Sequence, residues 1–209
     1  VNPYALPKNP YQTSDGGTTA HAVYIDDKIQ YGNWTITPGV RYEIINTNNT
    51  VTDFSNGAVT GQKSPELDAK EALPTISVAY QVNDVWSVFA NAGVSFGPQQ
   101  YSHLASTTEG LQPEKAKTYE VGTHYEGDSL SAEFTAFYID FDKELYLGRT
   151  IVGEGIWTNL GATEHKGIEA AARYDLGRVS QALEGLSIYG NYTYTQATYS
   201  AGAFKGKDL

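Results

Sequence analysis

The chain contains no cysteine and no methionine among its 209 residues. Without cysteine there is no disulfide scaffold, no Cys-ligated zinc site and no thiol nucleophile. Without methionine there is no initiator, and no secretory leader opens the chain, so it reads as an internal piece of a longer mature protein. No apolar run approaches the ~18 residues of a membrane-spanning helix. Basic residues are few: 14 Lys and Arg against 24 Asp and Glu give a formal charge of −10. That balance argues against a nucleic-acid partner, because neutralising phosphates takes clustered cations. Also lacking are a nucleophile elbow, an H-E-x-x-H pair, a G-x-x-x-x-G-K-[ST] phosphate loop and a calcium loop of the D-x-[DN]-x-[DN]-G kind. The expectation is a protein that is not an enzyme and carries no resident cofactor or metal.

What the chain has instead is alternation. Its 16 tyrosines and 21 glycines accompany segments in which every second residue is apolar, the period of a strand with two unlike faces. Over Asn33–Ile45 one face reads Trp34, Ile36, Pro38, Val40, Tyr42, Ile44 and the other Asn33, Thr35, Thr37, Gly39, Arg41, Glu43. Residues 118–126 set Tyr119, Val121, Thr123 and Tyr125 against Glu120, Gly122, His124 and Glu126. Residues 167–176 set Ile168, Ala170, Ala172 and Tyr174 against Gly167, Glu169, Ala171 and Arg173. The same rule predicts eight strands, at about 19–30, 33–46, 72–82, 85–96, 117–126, 129–146, 165–176 and 186–198. A mean hydropathy of −0.40 is compatible with a membrane barrel, whose strands turn alternate residues toward a polar lumen.

The connectors differ in length in a regular way. Turns at 31–33, 83–84 and 126–128, with a somewhat longer one at 177–185, alternate with polar loops at about 47–71, 97–115 and 147–164. A transmembrane barrel sorts its connectors so, with short turns on the inner rim and long loops on the outer. Residues 1–18 and 199–209 are expected on the long-loop rim. Most of the strands reach the ~9–11 residues that a tilted strand needs to cross a bilayer, and the one at 129–146 should project beyond it. Trp34, Tyr80, Trp86, Phe96, Tyr119, Tyr125 and Tyr174 stand where aromatic girdles would meet the interfaces. The fold class read from these residues is all-β, an antiparallel transmembrane barrel segment of about eight strands. Since an open sheet edge is not tolerated in lipid, further strands outside the chain are expected to complete it. The strands alone also leave open a passive porin or adhesin barrel, or a soluble β-rich domain.

Two segments narrow the choice. Leu111-Gln112-Pro113-Glu114, followed by Glu120-Val121-Gly122, resembles the L-x-P-E…E-x-G segment of TonB-dependent outer-membrane receptors. Asn159-Leu160-Gly161, followed by Gly167-Ile168-Glu169, resembles their N-x-G…G-x-E segment, in the same order and spacing. Tyr24–Ile29, Gly32–Arg41, Ser95–Ser102 and Ala172–Gly177 are similar to the ferric citrate branch of that family. The resemblance covers most of residues 19–195 and is weakest in the loops. It implies a Gram-negative outer-membrane barrel of about 22 strands, filled by a plug domain upstream of this chain, all of 1–209 being barrel. It further implies uptake of a ferric chelate, iron(III) dicitrate above all, driven by the TonB complex through the N-terminal region, in contact with lipid and lipopolysaccharide. Another siderophore of the same family is the alternative cargo.

Candidate site residues follow from chemistry and resemblance together. An iron–citrate complex is anionic, so its mouth calls for cationic forks or amide donors. Arg149, Gln99, Gln100, Lys63 and Lys70 are the loop-side candidates, with Arg149 foremost. Ungapped alignment from Phe141 sets it where related transporters offer a polar, usually amide, ligand contact. Glu120 and Glu169 lie on polar faces and are expected to be lumen-facing ion-pair partners, as is Arg41 with Glu43. Pro113 suits a strand start, and Gly122 and Gly167 suit close packing or a bulge. Glu66, Asp68 and Glu71 form the acidic group that could hold a cation. His103 is the histidine placed in a loop, where a haem ligand would be needed.

Overall fold

Eight long strands pair in chain order as an antiparallel meander in the computed structural model, which describes residues 11–98, 111–149, 155–159, 161–202 and 204–209. They are β1 (Gln12–Asp26), β3 (Trp34–Ser55), β5 (Glu66–Asn83), β6 (Trp86–Gly97), β7 (Glu114–Glu126), β8 (Leu130–Asp142), β11 (Thr163–Asp175) and β12 (Ser187–Tyr199). Short β2 (Ile29–Tyr31) and β4 (Ala58–Lys63) both pair with β3. β9 (Leu145–Arg149) and β10 (Gly155–Asn159) form a separate two-stranded sheet.

The register carries the alternation of the sequence from strand to strand. Val40 stands opposite Ile25 and Pro74. Further along, Val78, Ala90, Val121, Ala136, Ile168 and Tyr194 are successive partners across six strands. The opposite face runs through Asn91, Glu120, Phe137, Gly167 and Thr195. Only Ile45, Val51, Ala69, Leu73, Leu111 and Ala116 form buried apolar contacts among the described residues. Val121 is 60% exposed, Ile188 60% and Tyr192 59%. The molecule is therefore a single layer with one uncovered apolar face, which in water alone would be a large liability.

Aromatics mark both ends of that face. Toward the short turns, Trp34 packs on Tyr80 with ring centroids 4.7 Å apart. Trp86 there stands opposite Tyr125 and donates its indole N–H to Thr123 Oγ1 at 2.5 Å. Toward the other end, Tyr119 and Tyr138 approach to 6.4 Å. Gly32 and Asn33 make a two-residue turn with positive φ at Gly32. At 176–186 the chain forms two short 3₁₀ turns, capped by Asp175 and Ser180 side chains.

Several expectations need correcting. The region 47–71 is not a loop: β3 runs on to Ser55, turns at Asn56-Gly57, and returns as β4 and then β5. Both turn residues have positive φ, 51° and 80°, as a two-residue hairpin turn of the Asn-Gly kind requires. Polar ladders hold this extension, with Ser14 donating to Asn49 Oδ1 at 2.7 Å, Asn46 to Asp68 Oδ1 at 2.6 Å and Gln12 to Asp53 Oδ1 at 2.8 Å. At 22 residues, β3 is roughly 70 Å long. β1 correspondingly begins at Gln12, so residues 12–18 are strand and not loop, while residues 1–10 lie outside the described residues.

The expected strand at 19–30 is broken at Asp27-Lys28. Asp27 N–H donates to the Pro38 carbonyl at 3.1 Å, but Pro38 has no N–H to return the bond. The expected strand at 129–146 ends at Asp142, because Lys143 adopts φ 59°. The chain continues instead into the β9–β10 hairpin, which starts at Leu145 and takes up much of the expected loop 147–164. The tail also departs from a plain loop: Asp208 bridges to Thr198, and Leu209 N–H donates to the Ala197 carbonyl at 3.1 Å.

Candidate functional site

The rim that carries the long connectors is built from the two sequence segments singled out above. Pro113 leads into β7 and leaves Glu114 as its first residue. Glu114 Oε2 accepts the Leu145 N–H at 2.9 Å. The Asn159 side chain makes three hydrogen bonds. Its Oδ1 accepts from Gln112 N–H at 2.9 Å, and its Nδ2 donates to the Gln112 carbonyl at 2.9 Å and to the Lys143 carbonyl at 2.7 Å. An amide of this length treats Gln112 as a neighbouring strand would, satisfying both its donor and its acceptor. Gly161, at φ 102°, accepts the Glu144 N–H at 3.1 Å. Glu144 Oε2 in turn accepts from Thr163 Oγ1 at 2.5 Å and lies 3.7 Å from His165 Nε2.

Of the predicted ligand residues, Arg149 is the last residue of β9, in register with Gly155. It thus belongs to a separate hairpin and does not extend the strand before it. Gln99, Gln100 and His103 lie outside the described residues. Lys63 ends β4 opposite Val51, and Lys70 stands on β5 opposite Ile44, so neither shares an element with Arg149. The acidic group is dispersed: Glu71 pairs with Lys115 at 2.7 Å and Asp68 accepts from Asn46. No cluster of three metal-ligating side chains occurs among the described residues.

The polar face forms the second candidate surface. Glu120 accepts from Asn91 Nδ2 at 3.1 Å, and Arg41 pairs with Glu43 on the same strand. Glu169 lies exposed beside Glu133, Tyr189, Asn191 and Thr193, in a cleft of about 210 Å³. His124 sits between Glu126 and Glu133, at 3.4 and 3.6 Å. The two motif glycines admit neighbours that no side chain would. A Cβ at Gly122 would lie 2.5 Å from Phe89 Cζ, and one at Gly167 would lie 1.9 Å from the Tyr194 carbonyl oxygen and 2.8 Å from Phe137 Cζ. The aromatic partners of these glycines are not marked by the alternation of the sequence, because Phe89 and Phe137 interrupt the polar face.

The family described as TonB dependent receptor-like, beta-barrel matches residues 1–209, the whole chain. The chain belongs to this family. Its relatives carry the names of receptors and transporters, not of enzymes. The solved ferric citrate transporter FecA, in its unliganded form, is 37% identical over a match covering 90% of this chain and 27% of that one, with a TM-score of 0.69. The pesticin receptor of Yersinia enterocolitica is 27% identical, covering 82% of this chain and 26% of its own length. The metal-pseudopaline receptor CntO of Pseudomonas aeruginosa is 26% identical, covering 94% and 28%. The chain therefore spans between a quarter and a third of these TonB-dependent relatives, and its open sheet superposes on a sector of a larger barrel.

Proposed function

We propose that this chain is a barrel sector of an outer-membrane receptor that takes up a ferric chelate, iron(III) dicitrate, with energy from the TonB complex. The observation that carries the citrate assignment is the 37% identity to the ferric citrate transporter, maintained over 90% of the chain. The apolar face meets lipid, the polar face lines the lumen, and the rim of short turns faces the periplasm. Lipopolysaccharide packs against the outer half of the apolar face. A plug domain and the TonB contact belong to the N-terminal part of the protein, outside this chain. Glu120 and Glu169 face that plug, where buried carboxylates need cationic or amide partners.

The outer rim is the chelate mouth. Arg149, at the end of a projecting hairpin, supplies a planar, permanently charged fork suited to a citrate carboxylate, and Gln99 and Gln100 supply amide donors. A second reading, uptake of a different siderophore, is favoured by the names of the curated relatives, which include receptors for pesticin, metal-pseudopaline and ferrioxamine. Titration of the full-length receptor with ferric dicitrate and with ferrioxamine separates the two. Tight binding of the first and not the second supports the citrate reading; the reverse result overturns it and leaves the family intact.

A further inference from the structure

We propose that Asn159 and Glu114 are positioning residues for chelate capture: they pin the base of the β9–β10 hairpin, and Arg149 with it, to the segment that opens β7. This rests on the chelate-receptor reading above. Among the described residues β9 and β10 form a backbone ladder only with each other, and a two-stranded ribbon has little stability of its own in water. It therefore needs an external hold to present a side chain in one place.

The hold lies at one level. Leu145 and Asn159 are the base pair of the hairpin, and the segment Gln112-Pro113-Glu114 grips both of them. Glu114 takes the Leu145 backbone N–H, while Gln112 is bonded at both its N–H and its carbonyl by the Asn159 amide. The third Asn159 bond goes to the carbonyl of Lys143. That residue stands at φ 59°, a left-handed conformation that a residue with a Cβ adopts only where its surroundings fix it. Arg149 and Gly155 form the far pair, four register steps or roughly 13 Å from the base. A small rotation at the base becomes an ångström-scale displacement at Arg149, enough to spoil a fork contact.

The chemistry is specific to an amide. Aspartate at 159 keeps the acceptor for Gln112 N–H but sets a carboxylate against two carbonyl oxygens, and alanine removes all three bonds. Glutamine at 114 keeps an acceptor for Leu145.

The test uses the full-length receptor in detergent, with Asn159→Ala, Asn159→Asp, Glu114→Gln, Arg149→Ala and the Asn159→Ala/Arg149→Ala double variant. Hydrogen exchange over 143–149 and 155–159 and equilibrium titration with ferric dicitrate are read together. Asn159→Ala and Asn159→Asp should speed exchange in the hairpin and weaken ferric dicitrate by about tenfold, with barrel melting unchanged. Glu114→Gln should stay close to wild type. The double variant should bind no worse than Arg149→Ala alone, because both changes remove one contact. Unchanged exchange in Asn159→Ala overturns the pin. Faster exchange with wild-type affinity, or fully additive losses, overturns the positioning role. A wild-type receptor that takes no ferric dicitrate instead refutes the substrate reading, and exchange alone then decides the pin.

Discussion

Phe89 on β6 covers Gly122 on β7, its directly opposed residue, so closely that a Cβ at position 122 would stand 2.5 Å from the ring and 2.6 Å from the Phe134 carbonyl oxygen. Phe137 and Gly167 repeat the arrangement between β8 and β11. In each pair the missing side chain lets an aromatic ring lie flat along the polar face, a device that also strengthens glycine within a strand.

Gly122→Ala and Gly167→Ala should each destabilise the folded barrel by about 1–3 kcal/mol through overpacking. Gly167→Ala should be the worse of the two, because its closest neighbour is backbone. Gly190→Ala, which meets nothing within 4 Å, should change stability little. Urea unfolding of the full-length receptor in lipid vesicles ranks the three.

A lysine on the apolar face should be costly and one on the polar face cheap. Val121 lies midway along the apolar face of β7, between Lys117 and Tyr125. Val121→Lys should cost ~2–4 kcal/mol near the bilayer midplane, whereas Ser77→Lys on the other face of β5 should be tolerated. Folding yields into vesicles measure the contrast.

The hairpin tip at Asn56-Gly57 should tolerate no β-branched residue. Gly57→Val forces a residue with a Cβ to φ 80°, a local cost of about 1–2 kcal/mol. The damage should stay in the projecting part of β3 and β4. Faster hydrogen exchange over 50–63, with exchange over 86–97 unchanged, is the expected result.

The long strands of the meander are legible because one face is apolar and the other polar, as in Tyr119–Tyr125 and Ile168–Tyr174. The projecting extension is not. Asn46 to Asp53 is polar at every position but Val51, so it carries no hydrophobic period, and the polar composition around it outweighs the Asn56-Gly57 turn signal. The break at Asp27-Lys28 has its cause on another strand, at Pro38, which no local reading of β1 contains. The two motif segments were legible as residues of note, but their joining through Asn159 and Gln112, 47 positions apart, depends on three-dimensional pairing. Arg149 falls in the stretch expected as the loop 147–164. The left-handed turn at Lys143, a residue with no preference for one, placed it on a separate hairpin instead.

The central claim is that the rim of long connectors faces the outside and the rim of short turns the periplasm, with the sheet between them in the outer membrane. This chain has no cysteine, so single cysteines introduced into it, in a full-length receptor with any cysteine elsewhere replaced, can report on it. Cysteines at Gly57 and Thr158 should react with a membrane-impermeant maleimide on intact cells, and cysteines at Asp84 and Asp128 only after the outer membrane is permeabilised. Labelling of Asp84→Cys or Asp128→Cys on intact cells, with Gly57→Cys and Thr158→Cys protected, would contradict the account.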